Sequence, residues 1–168
     1  MIKNFELVKI LIEKNLTISF AESITGGLLA KYITDCPGSS KIFKESYITY
    51  ENDIKTKVLH VDSEIIDKYG VVSKEVAIEM AKGLKSLTNS NINISTTGNA
   101  GPTVCDDKRV GLAYYAINLN DKIYDYELDL SININNLEAK NDVEIRHYIR
   151  EEIVKTIFNK LIDLVNNI

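Results

Sequence analysis

Thr17-Ile18-Ser19-Phe20-Ala21-Glu22-Ser23-Ile24-Thr25-Gly26-Gly27-Leu28-Leu29-Ala30-Lys31-Tyr32-Ile33 changes its periodicity part-way along. Its first five residues mix β-branched and aromatic side chains with small polar ones, the pattern of a short strand. From Leu28 to Ile33 the pattern is that of a helix, which stops before Pro37-Gly38. A polar turn with two glycines joins the two. Strand, turn and helix in succession are the unit from which α/β folds are built. Glycines at a helix start let the backbone approach a ligand, and the first-turn N–H groups have no intrahelical partner. The turn therefore reads as an anion or oxyanion cradle beside the Ser23 hydroxyl. The same residues also fit a plain N-cap and a tight turn, since short glycine motifs recur by accident.

Working outward, Phe5, Val8, Leu11 and Ile12 recur at helical spacing, so a helix is expected from Phe5 to Leu16. Glu45 to Tyr50 reads as a strand, Asp53 to His60 and Asp62 to Tyr69 as short helices, with Gly70 as a C-cap. Ser73 is placed to N-cap a helix that runs to about Leu87. Asn91 to Thr97 reads as a strand entering a glycine-rich loop. Val110 to Asn118 and Ile123 to Leu130 form a hairpin across Asn120-Asp121. A last helix from Val143 to Val165 carries Ile145, Ile149, Ile153, Ile157, Leu161 and Val165 on one stripe. Strands and helices interleave, which predicts a single-domain, three-layer α/β/α sandwich with a mixed β-sheet.

The 168 residues suit one domain, and 45% hydrophobic with 26% charged residues is ordinary for a globular chain. The net charge of -4 is spread among mixed signs, which argues against nucleic acid as a main partner. No apolar run approaches the roughly 20 residues that span a bilayer, and the N-terminus lacks a secretory pattern. Cys36 and Cys105 form no Cys-x-x-Cys motif and read as free thiols of a reducing, cytoplasmic compartment.

A serine hydroxyl attacks only when a neighbour takes its proton. The chain has two histidines, His60 and His147, and neither lies in a motif that would make it a base. A lysine serves instead when burial lowers its pKa from about 10.4 towards neutrality. Which lysine does so is not readable from spacing.

Here the residues resemble a known family. Ala21-Glu22-Ser23-x-Thr25-Gly26-Gly27 resembles the opening motif of the CinA C-terminal domain family, which includes nicotinamide mononucleotide amidohydrolases. Thr34-Asp35-x-Pro37-Gly38-Ser39-Ser40, Thr49-Tyr50-x-Asn52-x-x-Lys55 and Gly70-Val71-Val72-Ser73-x-Glu75-Val76 are similar to its next segments. Thr97-Gly98-x-Ala100-Gly101-Pro102, Lys108-x-Val110-Gly111 and Arg146-x-x-Ile149-Arg150 follow in order. The resemblance covers roughly residues 15 to 155.

It implies Ser23 as nucleophile and Lys55 as general base, with Tyr50 assisting by a hydrogen bond or proton relay. Lys55 Nζ is then expected within about 3.2 Å of Ser23 Oγ, or one water away. The resemblance further implies that Thr25, Gly26, Gly27, Asn52, Thr97, Gly98, Ala100, Gly101 and Arg146 bind substrate. Backbone N–H groups around Thr25-Gly26-Gly27 would hold the oxyanion or a phosphate. The reaction would convert nicotinamide mononucleotide to nicotinic acid mononucleotide and ammonia, with no cofactor and no metal. The chain resembles the stand-alone form, without the family's larger N-terminal domain. A homo-oligomer is expected, and Tyr114, Tyr115, Tyr124 and Tyr126 of the hairpin fit either an interface or ordinary sheet-face packing.

The chain departs from the family after Thr97-Gly98. Asn99 stands where an isoleucine is usual, Thr103-Val104-Cys105-Asp106-Asp107 replace further glycines, and Arg109 replaces a proline. The intact Ser23, Tyr50 and Lys55 favour an enzyme. The altered loop favours the alternative, a catalytically weak or inactive homologue that binds a nucleotide or a protein partner. A metal-dependent hydrolase would need a His/Asp ligand cluster, which the sequence does not display.

Overall fold

Strand β1 (Ile18–Glu22) is buried at every residue and pairs in parallel with a strand on each side. The computed structural model describes residues 1–135 and 141–168. Its single sheet has the order β2-β1-β3-β4-β5, where β2 is Phe43–Ile48, β3 Ile92–Gly98, β4 Leu112–Leu119 and β5 Lys122–Asp129. The first three strands are parallel, and β4 and β5 run antiparallel, so the sheet is mixed.

Helices cover both faces. On one side lie α1 (Asn4–Glu13), α2 (Leu28–Thr34) and the long α7 (Asp142–Asn166), packed on Ile18, Phe20, Ile92 and Ile94. On the other lie α3 (Asn52–Leu59), α4 (Ser63–Tyr69) and α5 (Lys74–Thr88), joined to the sheet through Ala21, Ala116 and Tyr114. This is the expected three-layer α/β sandwich. The sheet face under α5 carries small or hydroxylated side chains: Ser19, Ala21, Ser95 and Ala116 are all buried there. Their size lets α5 approach until the Ser95 hydroxyl donates to the carbonyl of Ala77 at 2.5 Å.

The helix ends follow local chemistry. Ser73 caps α5 by accepting from the Val76 N–H, as its position predicts. Asn141 and Glu144 form a capping box at the start of α7. The hairpin turns at Asn120 (φ 48°) and Asp121 (φ 69°), the left-handed pair that a two-residue connection needs. Of its tyrosines, Tyr115 is buried and stacks on Tyr126 with ring centroids 4.9 Å apart, which is sheet-face packing.

Two boundaries and one added element stand out against expectation. Helix α1 ends at Glu13, because Asn15 takes a left-handed backbone (φ 53°) and the chain turns into β1 early. Strand β2 runs from Phe43 to Ile48, so Tyr50 lies beyond its end. A short helix α6 (Ser131–Asn135), without a clear apolar period, follows β5.

The α3 layer meets α5 through Gly83, where an added Cβ would lie 1.9 Å from the carbonyl oxygen of Leu59. Gly83→Ala should therefore destabilise the chain by about 2 kcal/mol or more, despite its gain in helix propensity. Urea unfolding with an unchanged m-value is the measurement, and an unaltered midpoint would show that the helices yield.

Candidate functional site

Because β1, β2 and β3 are parallel, their C-terminal ends reach the same edge of the sheet. The chain leaves β1 towards α2 on one face and leaves β2 towards α3 on the other. A crevice opens between such diverging connections, the usual ligand position in an open α/β sheet. It is a cavity of about 480 Å³, and Ser23, Tyr50, Asn52, Lys55, Thr97, Gly98, Ala100 and Arg146 lie on its wall. Thr25, Gly26, Gly27 and Gly101 are not on that wall.

Lys55 is fully buried on the first turn of α3. Its Nζ donates to the carbonyls of Thr49 at 2.8 Å and Tyr50 at 3.1 Å, and it lies 3.4 Å from Ser23 Oγ, just beyond the expected contact. Among the described residues no carboxylate forms an ion pair with it. Burial drives its pKa from 10.5 down to about 8, while the Glu51 carboxylate and the Cys105 sulfur pull it upward. A neutral amine has two hydrogens and one lone pair. Two carbonyls take the hydrogens, which leaves the lone pair for the Ser23 hydroxyl. Tyr50 reaches Lys55 through its backbone carbonyl, and its own ring is exposed on the cavity rim.

From Gly26 onward, the expected cradle at Thr25-Gly26-Gly27 is filled by the chain itself. The buried carboxylate of Glu22 accepts from the N–H groups of Gly27 (2.9 Å), Leu29 (3.1 Å) and Ala30 (3.0 Å). The Gly26 N–H is spent on the Ser23 carbonyl, and the Thr25 hydroxyl bonds the Thr96 hydroxyl. No N–H from the start of α2 is left for a ligand. The glycines serve their backbone: Gly26 and Gly27 have φ of +56° and +95°. Among the described residues, the N–H groups of Ile24 and Thr25, directly after Ser23, have no acceptor.

The departing loop has its own order. The Asn99 side chain donates to the carbonyls of Cys105 (3.0 Å) and Lys108 (2.8 Å) and accepts from the Cys105 N–H (2.9 Å). Asp106 accepts from the Val72 N–H, and Lys108 Nζ donates to the Tyr69 and Val72 carbonyls. A loop that has exchanged glycines for longer residues is thus stapled by one buried amide. Thr97 donates its hydroxyl to the Val71 carbonyl, and Gly98 lets β4 approach, since a Cβ there would lie 2.8 Å from Ala113 Cα. Arg146 donates to the Gly101 carbonyl and lines the cavity beside it. Asn52 stands exposed at the N-terminus of α3.

Glu51, Asp53, Asn99, Thr103, Cys105 and Asp106 also line the cavity, and sequence reasoning had not assigned them to it. Asn99 was visible only as a departure from a pattern. Both histidines lie away from the cavity: His60 caps α3 with φ 55°, and exposed His147 pairs with Glu151 on α7. Among the described residues no group of three His, Cys, Asp or Glu side chains is arranged to hold a metal.

The model of the CinA C-terminal domain matches residues 3–164. A putative competence-damage inducible protein of Alkaliphilus oremlandii is 42% identical over 149 residues, 88% of this chain and 36% of the relative. One from Clostridium botulinum is 48% identical over 128 residues, 76% of this chain and 31% of the relative. The chain thus spans about a third of the length of these curated relatives. The crystal structure of the competence/damage inducible protein CihA from Agrobacterium tumefaciens is 32% identical with a TM-score of 0.81, over 97% of this chain and 95% of that one. A CinA superfamily protein from Klebsiella pneumoniae shares the fold at a TM-score of 0.86 and 22% identity, over 98% of this chain and 96% of that one.

Asn99→Ala should leave the Cys105 and Lys108 carbonyls without their donor and cost about 2 kcal/mol of stability. Amide exchange at residues 103–108 should speed up while the core stays protected. Unchanged protection there would show that Asp106 and Lys108 hold the loop without Asn99.

Proposed function

The chain belongs to the CinA C-terminal domain family, and we propose that it is an amidohydrolase cleaving the carboxamide of nicotinamide mononucleotide. One observation carries this reading: a lysine amine buried without a carboxylate partner, 3.4 Å from a serine hydroxyl at the floor of a cavity of about 480 Å³. Burial of a lone cation is costly, and its use is to supply a base near neutral pH. At pH 7 a lysine of pKa about 8 is neutral in about a tenth of molecules, whereas an exposed lysine is neutral in about one of three thousand.

Lys55 takes the Ser23 proton as Oγ attacks the carboxamide carbon. A C–O bond forms and the carbonyl oxygen becomes an oxyanion. The unpaired N–H of Ile24, which directly follows the nucleophile and lines the cavity, supports its assignment as a donor to this oxygen. Collapse breaks the C–N bond, and the Lys55 ammonium returns its proton to the leaving nitrogen, which departs as ammonia. Water then attacks the acyl-enzyme, gives its proton to Lys55, and releases the carboxylate with Ser23 restored. Tyr50 offers a ring face for the pyridine, and Arg146 a guanidinium for the phosphate. Asn99 braces the altered loop at the cavity wall, and a buried amine beside a serine hydroxyl favours the enzyme over a binding-only homologue.

Ammonia release from nicotinamide mononucleotide is the direct assay. Ser23→Ala and Lys55→Ala should each lose about a thousandfold or more in kcat, and a silent wild type would sink the substrate. Full activity in Ser23→Ala would sink the nucleophile. Since the base works unprotonated, kcat/KM should rise as pH rises through about 8. Glu51 stabilises the ammonium form, so Glu51→Gln should move this rise to lower pH. A rise that stays in place would exclude coupling between the two.

A further inference from the structure

The turn that carries Ser23 is gripped from both sides by charged groups that do not line the cavity. On the N–H side stands Glu22, fully buried, with no cation paired to it among the described residues. Besides the three N–H groups at the start of α2, it accepts the Ser46 hydroxyl of β2 at 3.1 Å. Four donors fill the four lone-pair positions of a carboxylate. On the carbonyl side, Arg150 of α7 donates Nε and Nη2 to the Thr25 carbonyl at 3.1 and 2.6 Å. Its Nη2 lies 3.2 Å from where a Cβ of Gly26 would stand, so the guanidinium fits there because residue 26 has no side chain.

Closing the turn requires neither group, because the Gly26 N–H already bonds the Ser23 carbonyl at 3.1 Å. What they add is fixed orientation. Lys55 is held by carbonyls that follow β2, and Ser23 follows β1. Glu22 bonds both the α2 start and Ser46 of β2, so it ties together the two segments that deliver the reacting atoms. Resting on the reading of Ser23 as nucleophile, we propose that Glu22 and Arg150 are positioning residues that set Ser23 Oγ against Lys55 Nζ.

Glutamine has one acceptor oxygen and would turn an NH₂ towards donors, so Glu22→Gln is not a mild change here. Glu22→Gln, Arg150→Met and Arg150→Lys are compared with wild type in two assays. One is ammonia release from nicotinamide mononucleotide; the other, independent of that substrate, is labelling of Ser23 by a sulfonyl fluoride, followed by intact mass. Glu22→Gln and Arg150→Met should label and turn over about 10- to 100-fold more slowly. KM should stay within about twofold, and Arg150→Lys should recover part of the rate. The pH at which the rate rises should not move, because neither group touches Lys55.

Wild-type labelling in folded Arg150→Met, or a loss carried by KM, overturns the proposal. If Glu22→Gln does not fold, Arg150→Met decides. A wild type that labels but leaves the nucleotide intact refutes the substrate alone, and labelling rates then judge the positioning. A wild type that does neither refutes the nucleophile and this proposal with it.

Discussion

A lysine amine enclosed by protein, with carbonyls rather than a carboxylate for company, is the constraint around which this molecule is arranged. A salt bridge would have kept the amine charged, and solvent would have done the same. Two peptide carbonyls at the end of β2 satisfy its hydrogens without neutralising it, so desolvation dominates and the pKa falls to about 8. This requires β2 to end just before α3 begins, and requires α3 to press its first turn against the sheet edge. Gly83 allows that pressure by letting the end of α3 touch α5, and the small side chains beneath α5 let α5 touch the sheet. The chemistry of one nitrogen is thereby tied to packing on the far side of the α3–α5 layer.

Much of this architecture was legible in the chain. The change of period at Ser23, the Ser73 cap and the Asn120-Asp121 turn each act over a few residues, and local rules read them correctly. The pairing of Ser23 with Lys55 was not legible from the residues alone. They are 32 positions apart, and no spacing rule selects one lysine among many. The family pattern pointed to Lys55, and the parallel pairing of β1 with β2 explains how the two come together.

That Glu22 takes the N–H groups after Gly26 has a physical origin. A helix start preceded by glycines is an anion site by local rules, and an anion does occupy it. That anion is Glu22, folded back from the strand before the turn. Linear spacing does not distinguish a carboxylate that serves its own helix from one that faces solvent; the sheet settles it, because β1 is buried on both faces and Glu22 has no water to reach. Arg146 and Arg150 divide similarly. One turn apart on α7, they brace the Gly101 loop and the Thr25 turn, and Arg146 alone also faces the cavity.

Asn99 and Glu22 organise two hydrogen-bond systems that share no member. One seats the serine; the other shapes the wall a ligand would lean against. A change confined to the Asn99 bonds therefore alters the wall without removing a hydrogen bond from the serine's seat. Separation of this kind makes the 99–108 loop a natural place for an engineer to begin retuning what the pocket admits.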